Sequence, residues 1–492
     1  MNQVPSLDIM TISIDGNLRT AIECITNNSQ GVCFITDGNV FKGLITDGDL
    51  RRALLAGAEK DSPVKEYMKK DPVTLQMTAT PVEVQQALTS DIKHIPLLDP
   101  SGNLVDYVSK NHFQHVPLAE PLLSGNELLY VTECIQSNWI SSKGRFVTEF
   151  ENMFAEFHQM PYAVAVSNGT VALSLALESL GIGEGDEVIV PDLTFAASIN
   201  AIIHVGATPV IVDVNQYTWT LDPEKFEEAI TSKTKAVMPV HLYGHPADME
   251  KIQEISRSNK IIIIEDCAES IGSRIREKAT GSYGDASCFS FFGNKTITTG
   301  EGGMILFKDY NAAKKARILR DHGMSPEKRY WHEVVGYNYR ITNIQAAIGV
   351  AQMERINYFI NQKREIAALY SDKLNAIENI VLPPEASWAF NTYWLYSLLI
   401  LPESGLDRDL LIRSMAFNGI ETRAVFFPLH AMDIYKKFTH NKSFPISKYI
   451  SEFGICLPTA STTTEFEVSK VVEVFKTSMR SSVLKKEVNQ MK

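Results

Sequence analysis

The sequence lacks the features that mark secreted, membrane-spanning or nucleic-acid-binding chains. Its 492 residues include six cysteines. Cys24, Cys33, Cys134, Cys267, Cys288 and Cys456 form no C-x-x-C pair, and most lie in apolar runs where a thiol acts as a small hydrophobe. This usage fits a reducing, cytoplasmic setting. The longest apolar run, around Tyr393 to Pro402, is about half the ~20 residues a membrane helix needs. The first residues carry Asp8 and Asp15 without a basic stretch, so neither secretion nor membrane insertion is expected. Lys and Arg number 47 against 58 Asp and Glu, a net charge of −11, which is the wrong sign for a chain whose partner is a phosphate backbone. Nucleic acid is not an expected ligand.

What is present is the composition of a folded chain, 45% hydrophobic and 21% charged. At about 150 residues per domain the length suggests roughly three units. Residues 1–115 read as two related halves. The first runs through a helix, Leu18 to Thr26, a strand, Gly31 to Thr36, a turn at Asp37-Gly38-Asn39, and a second strand whose end, Gly43-Leu44-Ile45-Thr46-Asp47-Gly48-Asp49, opens another helix. The second repeats this with a helix from Val82 to Thr89, a strand His94 to Leu98, a turn Pro100-Ser101-Gly102-Asn103 and a strand reaching Ser109. Asp37 and Asp99 are 62 residues apart, Thr46 and Ser109 63. This layout resembles a tandem pair of cystathionine-β-synthase-type (CBS) modules. The resemblance implies an adenine-nucleotide site in which Thr46 and Asp49 hold the ribose hydroxyls. At the matching positions the second half has Ser109 and His112. A neutral imidazole offers one acceptor and no charge, so one competent site is expected. A pair kept only for packing or dimerisation is the alternative.

Pro117, Pro121 and Ser124-Gly125 mark a linker. Beyond it, apolar strands at Ala163–Ser167, Glu187–Pro191, Val210–Val214, Ala236–Val240 and Lys260–Asp266 alternate with helical stretches such as Thr170–Leu180 and Asp248–Ser258. Continuous apolar strands separated by helices predict a mainly parallel α/β sheet, here over residues 116–370. A smaller α/β segment, 371–492, containing the strand Tyr393–Leu401, follows as a small C-terminal domain.

Three motifs carry chemistry. Ser167-Asn168-Gly169-Thr170 sits where a strand turns into an apolar helix, a place where free amides and the helix dipole suit a phosphate. An ordinary N-cap is the plain alternative. The strand Ile261-Ile262-Ile263-Ile264-Glu265-Asp266 ends in carboxylates where ligands of open α/β sheets collect. Asp266 must meet a cation or hydrogen-bond donors there, a structural arginine being the alternative. The aromatic strand Cys288-Phe289-Ser290-Phe291-Phe292 runs into Gly293-Asn294-Lys295-Thr296 and then Thr299-Gly300-Glu301-Gly302-Gly303. A lysine in apolar aromatic surroundings is paired, neutral or covalently bound, which points to a Schiff-base lysine. A surface lysine after an edge strand leaves the glycine cluster unexplained.

These strings, with His241-Leu242-Tyr243-Gly244-His245 and Gly336-Tyr337-Asn338-Tyr339-Arg340, resemble fold-type I pyridoxal phosphate (PLP) enzymes, and among them the DegT-type nucleotide-sugar aminotransferases, over about residues 116–480. The resemblance implies PLP as cofactor, with Lys295 as covalent anchor and proton carrier and Asp266 against the pyridine nitrogen. It implies that Gly169, Thr170 and Ser290 hold the phosphate, that Phe195 stacks on the ring and that Glu269 lies near the ring hydroxyl. Asn338 would reach the phosphate of a neighbouring subunit, so the site implies a homodimer or higher homo-oligomer. Many members of the family have a histidine where this chain has Phe292, and familiar members lack the N-terminal repeat.

The expected reaction moves an amino group from L-glutamate to a nucleotide-linked 4-keto-6-deoxy sugar. A UDP-linked N-acetylated 4-keto hexose is the alternative substrate, and a catalytically silent nucleotide sensor the alternative function. No metal is expected. His241 and His245 have zinc-ligand spacing but follow a strand and lack an intervening Glu. Tyr310 and Lys314 imitate a reductase pair without a glycine-rich dinucleotide turn before them.

Overall fold

The computed structural model describes residues 7–79, 81–89, 91–110, 115–439 and 442–490. His112 lies outside the described residues. The chain forms two compact units, one built from the residues up to Val116 with Ala416–Glu421, the other from the remainder.

In the N-terminal unit the two halves share one pattern. Thr11–Ser13 pairs parallel with Val32–Asp37, which pairs antiparallel with Val40–Thr46. Leu75–Gln76, His94–Leu98 and Leu104–Ser109 pair in the same way. Each hairpin carries one register shift, between Ile35 and Thr36 in the first and between Leu97 and Leu98 in the second. The helix Leu18–Asn28 starts at Asn17, whose side chain accepts from the Thr20 amide, and buries Leu18, Ala21 and Ile25 against Cys33, Ile35 and Ile45. The spacing of those helical residues is one face of a 3.6-residue repeat.

The larger unit is built on a seven-stranded sheet. Its order is Tyr162–Val166, Gly303–Phe307, Ala286–Ser290, Ile262–Asp266, Thr234–Val237, Glu187–Pro191 and Thr208–Val212. All neighbours are parallel except Gly303–Phe307, which runs against both of its own. The apolar helix Gly169–Ser179 buries Ala172, Leu173, Leu175, Ala176 and Leu177 against one face. The helix Arg145–Phe157 packs Phe150 and Phe154 against Phe289 and Phe291 on the other.

The strand expected at Val210–Val214 forms earlier, at Thr208–Val212. Asp213 leaves the ladder because its carboxylate accepts the amides of Ile446 and Ser447. The helix Ile356–Leu374 runs unbroken through residue 370. It leads to a four-stranded antiparallel sheet in the order Ile380–Val381, Tyr396–Ile400, Gly454–Leu457 and Arg423–Ala424. Among the described residues no helix is long and apolar enough to cross a membrane.

Candidate active site

Side chains alternate along a strand, and this sets the first wall of the site. Phe289 and Phe291 enter the aromatic cluster, so Ser290 between them faces the start of the helix Gly169–Ser179. The approach is close. A Cβ on Gly169 would lie 2.8 Å from Ser290 Cβ, and one on Gly303 would lie 2.5 Å from the Asn168 carbonyl oxygen. Asn168 caps the helix by accepting from the Val171 amide at 3.0 Å. The amides of Gly169 and Thr170, in the first turn, have no acceptor within the helix. Amides, the positive dipole end and the Ser290 hydroxyl thus converge on a cradle shaped for an anion.

At the end of the strand Ile262–Asp266, Asp266 is buried and accepts from Ser198 Oγ at 2.8 Å and from the Ala268 amide at 3.1 Å. Its donors are a hydroxyl and an amide rather than an arginine. Burial still outweighs these bonds and raises its carboxyl above the usual range. Lys295 follows the strand Ala286–Ser290, its amide donating to the Phe292 carbonyl at 2.9 Å. Its Nζ lies 3.6 Å from Glu269 Oε1 and 3.6 Å from the centre of the Trp394 ring. The side chains of Lys295 and Glu269 are only 12% and 5% exposed. Burial pushes Glu269 up to about 7 although the Lys295 charge opposes the shift, and burial lowers the Lys295 amine although Glu269 opposes it. Both groups are driven toward their uncharged forms, the state in which an amine attacks a carbonyl.

Phe195 is 60% exposed beside Phe426, its ring 5.8 Å away, at the turn whose Thr194 hydroxyl meets Ser198 Oγ at 2.9 Å. Asn338 is exposed and bridges Asp321 in a segment whose Tyr339 carbonyl accepts the Ser167 amide at 2.8 Å. It therefore lies beside the phosphate-type turn, with its side chain at the surface.

Both histidines of the zinc-like pair have their ring nitrogens committed. His241 Nδ1 accepts from the Ala247 amide at 2.9 Å, so its Nε2–H donates to Glu265 at 3.0 Å. His245 donates from Nδ1 to the Pro246 carbonyl and accepts at Nε2 from the Ala386 amide. Neither keeps a lone pair for a metal. Tyr310 and Lys314 are exposed on one helix face.

Sequence reasoning missed Trp394, Lys363 and the pair Asp192–His430. His430 Nδ1 meets the buried Asp192 carboxylate at 2.6 Å, and the bond raises the imidazole pKa. Lys363 could have been found, because it interrupts the apolar stripe of Phe359, Ile366 and Tyr370 at helical spacing.

The N-terminal unit has its own cleft, a cavity of about 470 Å³ lined by residues including Gly31, Thr46, Asp49, Arg52, Lys69 and Lys93. Thr46 and Asp49 form a capping box: the Thr46 hydroxyl donates to Asp49 Oδ2 at 2.7 Å and the Thr46 amide at 2.9 Å. Arg52 reaches Asp49 Oδ1 at 2.5 Å. Burial pushes Asp49 up, but the bonds from Thr46 and Arg52 outweigh it and hold the carboxyl below its ordinary value. At the matching position of the second half, Ser109 is buried, and its hydroxyl has no hydrogen-bond partner among the described residues.

Comparison with known proteins follows the same division. Residues 121–476 match the DegT/DnrJ/EryC1/StrS aminotransferase family, and residues 2–56 and 64–116 match the CBS domain. The chain is 47% identical over 360 residues to a GDP-perosamine synthase of Escherichia coli O157:H7, covering 73% of this chain and 97% of that protein. It is 46% identical over 358 residues to one of Caulobacter vibrioides, covering 73% of this chain and 96% of that protein. In three dimensions it is similar to the putative sugar aminotransferase Spr1654 of Streptococcus pneumoniae in its PMP form. There the TM-score is 0.72 at 28% identity, over 76% of this chain and 100% of that one.

Proposed function

The chain belongs to the DegT/DnrJ/EryC1/StrS aminotransferase family and is a PLP-dependent nucleotide-sugar aminotransferase, and on that premise we propose that it aminates a GDP-linked 4-keto-6-deoxy sugar with L-glutamate as donor. The observation that carries the nucleotide and sugar is the 47% identity across nearly the whole of a GDP-perosamine synthase.

The residues fit the cofactor. A cradle that a Cβ on Gly169 would fill, amides at a helix start and Ser290 suit a phosphate, and a buried carboxylate and a desolvated amine stand beyond it. In this reading Gly169, Thr170 and Ser290 hold the phosphate, Phe195 covers one ring face, and Asp266 faces the pyridine nitrogen. Glu269 faces the ring hydroxyl, and Lys295 anchors the carbonyl carbon and carries the proton. Bound PLP supplies an electron sink for the carbon that loses or gains the proton. The chain supplies the rest: Trp394 and Glu269 wall the Lys295 amine from water, and Ser198 fixes the Asp266 carboxylate. Asn338, exposed beside the phosphate-type turn, serves the partner copy of a homodimer. Mixing inactive Lys295→Ala chains with inactive Asn338→Ala chains should then restore part of the activity, and verified mixed dimers without rescue would remove Asn338 from the site.

The cleft of the CBS unit takes an adenine nucleotide through Thr46 and Asp49 and regulates the enzyme. Calorimetric titration of the intact chain with AMP, ADP and ATP tests this, absence of binding rejecting it. The substrate is tested by offering GDP-, UDP- and dTDP-linked 4-keto sugars with glutamate. Amination of the GDP-linked sugar is expected, and turnover of the UDP-linked sugar alone overturns the assignment.

A further inference from the structure

Lys363 is a buried lysine with no ion pair among the described residues. It is 2% exposed on the helix Ile356–Leu374, and its Nζ donates to the carbonyls of Trp394 at 3.1 Å and Thr459 at 2.8 Å. An uncharged amine has two N–H donors and an ammonium three. Two carbonyls satisfy the first completely and leave one N–H of the second without an acceptor. Burial, and then the Lys295 charge, push this amine down to about 7. Lys295 is the charged group that acts on Lys363, and Glu269 and Asp266 are the acids that act on Lys295.

The two carbonyls belong to the wall beside Lys295. The Trp394 indole donates from Nε1 to the Asn294 carbonyl at 2.8 Å, one residue before Lys295. The opposite end of the same residue, its main-chain carbonyl, receives Lys363 and the Thr459 hydroxyl, the latter at 3.2 Å. Tyr243 stacks on the ring with 12° between planes and 6.1 Å between centres. Trp394 is thus held at its ring and at its main chain, and Lys363, together with the Thr459 hydroxyl, ties the main-chain end to the Thr459 segment.

We propose that Lys363 is a positioning residue for Lys295: by fixing the Trp394 main chain it keeps the indole as a dry wall against the Lys295 amine. The inference rests on the reading of Lys295 as the cofactor-binding lysine. Without Lys363 only the longer bond from the Thr459 hydroxyl, at 3.2 Å, holds the Trp394 carbonyl and the wall loosens, so water that enters stabilises the charged form of the nitrogen at residue 295.

The test is the pH titration of the visible absorbance of the PLP-loaded full-length enzyme without substrate, in the parent and in Lys363→Met. Methionine keeps the apolar stem and removes both donors. The midpoint is expected to rise by about one pH unit, a tenfold change in proton affinity, with circular dichroism and thermal melting unchanged in form. A folded Lys363→Met enzyme with the parental midpoint overturns the inference alone. A parent enzyme without any visible cofactor band overturns the reading of Lys295 and the inference with it. If Lys363→Met does not fold, Trp394→Leu, which removes the wall directly, carries the test: the same rise is expected, and an unmoved midpoint overturns the inference.

Discussion

The two units each set a carboxylate close to a cation after a sheet strand, and the outcomes are opposite. In the CBS unit Asp49 and Arg52 meet at 2.5 Å, with the guanidinium side chain 73% exposed. In the aminotransferase unit Glu269 and Lys295 meet at 3.6 Å, both nearly enclosed. The first carboxyl is held below its ordinary range and the second is pushed up to about 7. Proximity of opposite charges does not decide the ionisation. Asp49 keeps solvent on one side and collects donors from Thr46 and Arg52, whereas Glu269 has lost its water and gained in exchange the Tyr243 amide at 2.9 Å and the Lys295 amine at 3.6 Å. One carboxyl keeps its charge at the edge of a cleft, and the other is driven toward its neutral form inside the protein.

The strongest attempt to break this contrast is Lys295→Ala. It should lower amino transfer by at least roughly 10⁴-fold, the upper end for one proton-transfer group, and abolish the visible cofactor band while the melting curve keeps its shape. Normal turnover would mean that the buried pair is not the reactive one. Next in size is the pH dependence of stability. The Lys363 amine is lowered in the folded chain to about 7, so between that pH and the ordinary lysine range the unfolded chain holds a proton that the folded chain does not. Stability from this group is therefore present above that window and lost as the pH falls through about 7, at up to about 1.4 kcal/mol per pH unit. Denaturant titrations of Lys363→Met should show a flatter slope than the parent across this window. Asp49, whose carboxyl is also lowered in the folded chain, has the same sign in a more acidic window: its contribution is present above the ordinary carboxylate range and lost as the pH falls below it.

A smaller effect sharpens the other side. Asp49→Ala should weaken adenine-nucleotide binding by about tenfold or more, the worth of hydrogen bonds to a charged group, and leave transamination without nucleotide intact. The smallest is Arg52→Ala, expected to change stability by less than about 0.5 kcal/mol because the pair is exposed. A loss comparable to that of a buried group would erase the distinction between the two regions.

The chemistry was legible in the sequence where it is local. A glycine after Ser167-Asn168, a lysine straight after an aromatic strand and a glycine cluster behind it are each visible within a few residues of sequence, although the contacts that require Gly169 and Gly303 are long-range. The repeat in the N-terminal unit was legible for the same reason, and the register shifts at Ile35 and Leu97 fall 62 residues apart, as Asp37 and Asp99 do. What was not legible depends on long-range meetings. Lys363 acquires its meaning from carbonyls 31 and 96 residues away, and His430 from a carboxylate 238 residues away. Burial of Trp394 beside Lys295 is likewise a product of packing that no window of sequence contains. The strand edge at Asp213 was misjudged because the amides that draw it off the ladder belong to residues 446 and 447.

The meeting of Gly169 with Ser290 sets a different kind of limit on the enzyme. Most groups in the site can be weakened by degrees, since a longer hydrogen bond or a partial charge still does part of the work. A gap in which an added carbon would stand 2.8 Å from its neighbour has no intermediate settings. Substitution there fails by occupancy rather than by loss of attraction, so the tolerance of this turn to change is a step and not a slope. The smallest side chain that evolution or an engineer can add is already too large for the clearance.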